Sequence, residues 1–587
     1  MNRLFRNSDN DSQELRHSRR VHLEGNRKQA LEVGRNRLLV TGIVMMLAFI
    51  AVTARLVDMT LLNYEASPQF AATGGHQTFA SRADIVDRNG IILATDLPAE
   101  SLFANPREIL NAEQAVIKLR RVLPHLSPSD ILTKLETDSA FVWIQRNLTP
   151  QQVYAVNRLG IPGFSFKQEI RRVYPHGSLA AHVLGFTDVD GRGIAGTERY
   201  FDRVLRKGHN PLSLSLDIRL QSILHEELSA SVAEFKALGG AGIIMDVRSG
   251  ETLATVSLPD FTPNDPSTAI GEAGFNRVTK GVYEMGSTFK LFTTAMALDS
   301  GTVTMRDGYD ASKPIKIARF KISDYHAKSR WLSVPEILIH SSNIGSAKMA
   351  LDVGSQVQQA YLKQLGLLSV SSIELPEVGA PLTPARWRDI NTMTISFGHG
   401  IAVSPVQMAE AVSALVNGGH RYPATLLKRS RSQPIRGEQV LSKQTSRQMR
   451  KLMRMVVANG TGRKASVPGY RVGGKTGTAE KQVGGRYKSK ALISSFVGSF
   501  PLDDPRYVIL ILVDEPQGNK RTHNYATGGW VAAPVVRRVI ERMAPIIGIM
   551  PVYEPDHENK KPKRFPTKSI SITKVSTSIQ ERRFASR

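Results

Sequence analysis

The sequence contains no cysteine. That absence excludes thiol nucleophiles, disulfides and thiolate-bound structural zinc together, and it suits a compartment where stray thiols would be oxidised. Nucleic-acid motifs of the usual kinds are also missing. The net charge of +25 would suit an anionic membrane or polymer as well as nucleic acid, so nucleic acid is not expected as a partner. Only one uncharged run approaches membrane length. At 587 residues the chain is too long for one ordinary domain.

That run is LLVTGIVMMLAFIAVTA, residues 38–54, and its apolar character resumes past Arg55 to Leu62. It is long enough to span a bilayer. Arg27, Lys28, Arg35 and Arg37 crowd its N-terminal flank, which places the N-terminus in the cytoplasm by the positive-inside rule. Val52-Thr53-Ala54 resembles a signal-peptidase site, but the charged region before the run far exceeds a normal n-region. The expectation is therefore a basic cytoplasmic tail over 1–37 and one uncleaved signal anchor over 38–62. The remainder would be extracytoplasmic.

Two modules follow. In residues 63–210, SRADIVDRNGIILA reads as strand, turn and strand about Asn89-Gly90. NAEQAVIKLRRVL and TPQQVYAVNRLG carry the three-and-four apolar spacing of helices. In residues 211–550, GGAGIIMDVRSGETLATVS reads as a hairpin, helical spacing dominates the middle, and ALISSFVGSF and RYVILILVDEP read as strands. Strands at both ends with helices between predict an α+β fold: one antiparallel sheet flanked by helices. The polar, basic stretch 551–587 is expected to be disordered.

Three short motifs stand in order in the second module: Ser287-Thr288-Phe289-Lys290, Ser341-Ser342-Asn343 and Lys475-Thr476-Gly477-Thr478. Each is cheap alone. Ser571 and Lys574 repeat the first spacing in the tail, and Ser8-Asp9-Asn10 mimics the second. The ordered set on one side of a membrane is not cheap. Positions three apart share a helix face, which brings the Lys290 amine to the Ser287 hydroxyl. A serine becomes a nucleophile when a neighbouring base takes its proton, and a lysine is that base only when burial or a second cation lowers its pKa. Lys475 is the candidate second cation. Ser341 can relay a proton, and Asn343 can hold a substrate amide. Thr476, Gly477 and Thr478 suit an extended peptide laid along a strand edge. The backbone N–H groups of Ser287 and Thr478 suit an oxyanion.

At these residues the chain resembles the class B penicillin-binding proteins, most nearly their division-specific peptidoglycan D,D-transpeptidases. SRADIVDRNGIILA, RRVYP, AAHVLGF and GTERYFD resemble their non-catalytic pedestal, of the dimerisation type. SFGHGIAVSPVQMAEA and GGWVAAPVV resemble their transpeptidase domain. The resemblance implies a Ser287 acyl-enzyme formed on D-Ala–D-Ala with loss of D-alanine. A second stem peptide then makes the cross-link, and β-lactams acylate the same serine. It implies no cofactor and no metal. Its implied partners are stem peptides, lipid-linked precursor polymer, a membrane glycosyltransferase and other division proteins. The implied location is the inner membrane at the septum, with the catalytic domain in the periplasm. An elongation-specific class B enzyme shares fold and chemistry; a β-lactamase-related hydrolase and a non-catalytic β-lactam sensor are the more distant readings. Two details stand apart. Met285 occupies a position where the family usually has proline, leaving the approach to Ser287 freer. Glu198 and Arg171 are candidates for a contact that holds the modules together.

Overall fold

The computed structural model describes residues 39–53 and 82–553, apart from 209, 318–319, 431–434 and 484–485. Residues 39–53 are helical and their apolar side chains are exposed. Among the described residues no helix is long and apolar enough to cross a membrane. The expected anchor continues at 38 and 54–62, which lie outside the described residues, as do the tail 1–37, Ser8 to Asn10, and 554–587 with Ser571 and Lys574.

In the pedestal, β1 (Ile85–Val86) turns into β2 (Ile92–Ala104) at the expected place. Gly90 takes φ +86° there, and the Asp87 carboxylate accepts the N–H groups of Asn89 and Ile91. β2 pairs antiparallel with β3 (Val142–Leu148) and with β4 (Phe164–Val173), the latter from Thr95 opposite Val173 to Ala104 opposite Phe164. Helices Ala112–Val122 and Pro150–Asn157, capped by Asn111 and Thr149, begin where the sequence pattern starts them. Their apolar faces close on Leu102, Ile144 and Leu148 of the sheet. β1 also pairs in parallel with β5 (Leu212–Ser213), so the chain enters the second module alongside the pedestal's first strand.

A buried ion cluster ties this module together. Glu198, with no exposed side-chain surface, accepts Arg82 Nε at 2.6 Å and Arg172 Nε at 2.8 Å. Arg172 also reaches Asp96 at 3.0 Å, and Arg82 reaches Asp202 at 2.7 Å. Glu198 thus pairs with Arg172 and Arg82 and not with Arg171, and the contact lies within this module, not between the two. The error is one of register, because successive residues of β4 point to opposite faces.

The second module is built on a five-stranded, fully antiparallel sheet. Its strands are β6 (Gly239–Asp246), β7 (Thr252–Leu258), β8 (Gly473–Val483), β9 (Arg486–Phe500) and β10 (Tyr507–Asp514), in the order β8-β9-β10-β6-β7. Both faces are covered, which explains why YVILILVD is apolar at every position but the last rather than alternating. Val508, Leu510 and Leu512 enter one core, while Ile509, Ile511 and Val513 enter the other. Each such side chain contributes about 1.5–3 kcal/mol when fully buried.

The covering helices are α1 (Ile218–Glu234), α2 (Lys290–Asp299), α3 (Asn343–Val353), α4 (Pro405–Val416), α5 (Lys443–Asn459) and α6 (Ala532–Ile546). α1 and α6 share one core with the sheet, and α2, α3, α4 and α5 share the other. Gly240 and Gly242 let α1 approach closely, since a Cβ on either would meet Leu228 or Leu224 at about 3 Å. β8 is an edge strand, and beside it begins α2.

The ion cluster gives a direct test. Glu198→Ala leaves two buried guanidinium groups short of a partner and is expected to cost about 3–5 kcal/mol in denaturant unfolding. Arg171→Ala is expected to stay within about 0.5 kcal/mol. Equal effects from the two substitutions would contradict the register.

Candidate active site

Ser287 lies in a tight 3-10 turn, Gly286–Phe289, and the α-helix proper starts only at Lys290. The turn is wedged between β8 and the loop at 398–400. Gly286 takes φ +55°, and a Cβ there would stand 2.6 Å from Thr478 O. A Cβ on Gly398 would stand 2.1 Å from Gly286 O, and one on Gly477 would stand 2.5 Å from Met285 O. Gly477 therefore makes room for the serine turn itself, and not only for a peptide on the strand edge.

The approach to the serine is held in spite of Met285. The methionine is buried in the core at φ −84°, and its carbonyl accepts the Thr288 hydroxyl at 2.8 Å. One residue earlier the Glu284 carboxylate accepts the Gly400 N–H at 2.9 Å. Tyr283 and Val403 exchange both backbone hydrogen bonds.

Lys290 brings the three motifs together. Its Nζ lies 2.9 Å from Ser287 Oγ, 2.7 Å from Ser341 O, 3.1 Å from Ser341 Oγ and 2.7 Å from Asn343 Oδ1. Ser341 O and Asn343 Oδ1 can only accept. A neutral amine directs its two N–H bonds at them and keeps its lone pair for a hydroxyl. Lys290 is fully buried, and burial, followed by the charge of Lys475, pulls its pKa well below the usual lysine range. Asp324 acts weakly in the opposite direction. Lys475, also fully buried, sits 2.9 Å from Ser341 Oγ, and burial brings it down to about 7. The Ser341 hydroxyl thus joins two lysine amines. A continuous path runs from Ser287 Oγ through Lys290 and Ser341 to Lys475.

Local structure explains how Ser341 reaches that point. It caps the helix Val334–His340 in the left-handed region, at φ 59°, and the next residue, Ser342, caps α3. Asp324, absent from the sequence reading, secures this junction. Its carboxylate accepts the Ser342 hydroxyl at 2.7 Å and the N–H groups of Asn343 at 2.6 Å and Ile344 at 3.0 Å. Asn343 Nδ2 donates to Ser323 O at 3.0 Å, so half of that side chain's donor capacity remains for another group.

On β8, Thr476 and Thr478 share a face. Thr476 Oγ1 lies 2.7 Å from Thr461 Oγ1, and Thr478 Oγ1 accepts the Gly528 N–H at 3.1 Å. Accepting that bond leaves the Thr478 hydroxyl proton free to donate. All the residues of the three motifs are accordingly gathered at one place. Asp324, Glu284 and His399 belong to the same neighbourhood, yet no spacing rule points to them.

A family model described as the penicillin binding protein transpeptidase domain matches residues 240–541. A second, the penicillin-binding protein dimerisation domain, matches residues 77–211. The probable peptidoglycan D,D-transpeptidase FtsI of Caulobacter vibrioides is 42% identical over 482 residues, covering 80% of this chain and 82% of that protein. The peptidoglycan D,D-transpeptidase FtsI of Escherichia coli is 32% identical over 512 residues, covering 81% and 85%. The crystal structure of penicillin binding protein 3 from Mycobacterium tuberculosis, complexed with aztreonam, shares the fold with a TM-score of 0.64 at 23% identity. It covers 81% of this chain and 98% of that one.

The electrostatics of Lys290 predict two opposite shifts. Protonation removes its lone pair, so the reactivity of Ser287 should fall as pH drops through the Lys290 pKa. Lys475→Met removes a cation that holds this pKa down, and should move the acid limb to higher pH. Asp324→Asn removes an anion that holds it up, and should move the limb to lower pH. Rates of reaction with a fluorescent penicillin across about pH 5 to 9 measure both. Shifts in one common direction would contradict the arrangement.

Proposed function

The chain belongs to the class B penicillin-binding proteins and is a peptidoglycan D,D-transpeptidase, and from that premise we propose that it cross-links septal peptidoglycan through a Ser287 acyl-enzyme. Ser287 Oγ attacks the carbonyl carbon of the D-Ala–D-Ala amide while its proton passes to Lys290 Nζ. The N–H groups of Ser287 and Thr478 receive the oxyanion. This is supported by the backbone of Thr478 lying against Gly286, where an added Cβ would stand 3.2 Å from Thr478 N. The C–N bond then breaks, and the leaving D-alanine nitrogen takes a proton from the relay formed by Ser341 and Lys475.

Asn343 orients the amide of the donor peptide. Thr476, Gly477 and Thr478 hold that peptide along the edge of β8, with the threonine hydroxyls and Lys475 suited to its terminal carboxylate. In the second half of the cycle the amine of a neighbouring stem peptide attacks the ester carbon. The ester C–O bond breaks, and Ser287 recovers its proton from Lys290. β-Lactams acylate Ser287 by the first half of the same route.

Residues 38–62 anchor the protein in the inner membrane with the N-terminus cytoplasmic and the catalytic domain in the periplasm. The uncharged run and its cationic flank support this. A membrane glycosyltransferase of the division machinery supplies lipid-linked polymer to it, a reading supported by the division-type relatives.

The observation that carries the proposal is the buried Lys290 amine 2.9 Å from Ser287 Oγ. Ser287→Ala is expected to abolish labelling by a fluorescent penicillin, and peptide mapping of the wild-type adduct should find the label on Ser287. Lys290→Met should slow labelling by about 10²–10⁴-fold, the usual range for losing a general base. Label surviving in Ser287→Ala would overturn the assignment. Depletion in cells should give filaments; round cells would assign the enzyme to elongation instead.

A further inference from the structure

Three side chains beside the serine turn take no part in the cycle above. Glu284 lies three residues before Ser287, half-buried. Besides the Gly400 N–H it accepts the Tyr487 hydroxyl at 3.1 Å. Burial pushes its pKa up accordingly. His399 follows Gly398, the residue packed on Gly286. Its ring centroid lies 5.7 Å from that of Tyr487, and its buried Nε2 has no hydrogen-bond partner. Burial lowers its pKa to about 4, so the ring is neutral.

A half-buried carboxylate and an orphaned imidazole nitrogen both cost free energy when kept out of water. Both meet Tyr487, the carboxylate at its hydroxyl and the imidazole at its ring, and together they suit a ligand that is cationic and donates hydrogen bonds. The reaction itself supplies one. Its second substrate is an amine, protonated in water, that must approach a pocket already holding two lysines. A carboxylate on that approach offsets the repulsion.

We propose that Glu284 and His399 form the docking site for the amine of the acceptor stem peptide. The inference rests on the Ser287 acyl-enzyme of the proposed function. Glu284 pairs with the ammonium, and His399 Nε2 accepts one of its N–H bonds; Tyr487 fixes the carboxylate. These are substrate-binding residues, and Lys290 remains the base. The ammonium loses two protons in becoming an amide nitrogen. One leaves to solvent before attack. The second passes through Lys290 to Ser287 Oγ as the new C–N bond forms and the ester C–Oγ bond breaks.

The test uses the full-length protein, an acyl-D-alanyl thioester as donor, and a short peptide bearing a side-chain amine as acceptor. The ratio of aminolysis to hydrolysis of the acyl-enzyme is measured beside the rate of penicillin labelling. In Glu284→Gln the ratio is expected to fall about tenfold or more, as for loss of a buried charge partner. Penicillin labelling should fall by a smaller factor. His399→Leu should raise the amine concentration needed for half-maximal transfer, and Glu284→Asp should recover part of the ratio. An unchanged ratio in both Glu284→Gln and His399→Leu, or a ratio that falls only in step with labelling, overturns the inference. If Glu284→Gln does not fold, Glu284→Asp and His399→Leu decide it by the same ratio. Wild-type protein that takes no label would instead defeat the acyl-enzyme reading.

Discussion

Two lysine amines, buried completely and joined through one serine hydroxyl, are the constraint on which the catalytic module depends. Two like charges that share a partner in a dry pocket cannot both be retained cheaply. Of the two amines Lys290 is pressed hardest, because its own burial and the charge of Lys475 both pull its pKa well below the usual lysine range. A neutral lysine beside a serine hydroxyl is a base. The fold assembles the pocket from three distant parts of the chain: the start of α2, the junction before α3, and the edge strand β8. The sheet behind them, apolar on both faces, gives β8 a fixed place from which Lys475 reaches inward.

The pedestal solves the opposite problem with the same kinds of groups. Arg82 and Arg172 are as deeply buried as many catalytic residues, yet each is paired with carboxylates, and Glu198 serves both. Where charges are matched, burial yields a rigid joint and no chemistry. Where they are left unmatched, as at the two lysines, burial becomes a displaced pKa and hence reactivity. The left-handed Ser341 belongs to the unmatched side. Such backbone geometry costs on the order of 1–3 kcal/mol, and Asp324 stabilises the residues that follow it through three hydrogen bonds.

How much of this was legible in the sequence follows from the range of each interaction. Local signals were readable: the hairpin at Asn89-Gly90, the helices capped by Asn111 and Thr149, and the apolar strands of the sheet. The two-module α+β architecture followed from their order. The three motifs were readable too, because chemistry demands particular residue types there. Asp324 was not readable, since a carboxylate that caps a helix from across a loop has no spacing signature. Glu284 and His399 are 115 residues apart, and both reach Tyr487 from segments joined where Gly398 packs on Gly286. The choice between Arg171 and Arg172 depended on the register of β4, which pairs with a strand some 70 residues away, and adjacent arginines carry no hint of which one faces inward.

Met285 shows how a local rule can be replaced by tertiary structure. Proline before the glycine would fix φ near −65°, and its absence suggested a looser entry to the nucleophile. Met285 instead sits at φ −84°, close to that range without a ring to impose it. The constraint comes from its neighbours. Its side chain is held in the core, its carbonyl is claimed by Thr288 and fits against Gly477, and Glu284 is tied to the loop that carries His399. Proline would act in the unfolded chain as well, by removing conformations before folding. Methionine cannot do that, so the order of this turn depends wholly on contacts made in the folded state. Rigidity at Ser287 is then coupled to the 398–400 loop and to the edge of β8. Whatever tightens those contacts also tightens the turn that carries Ser287.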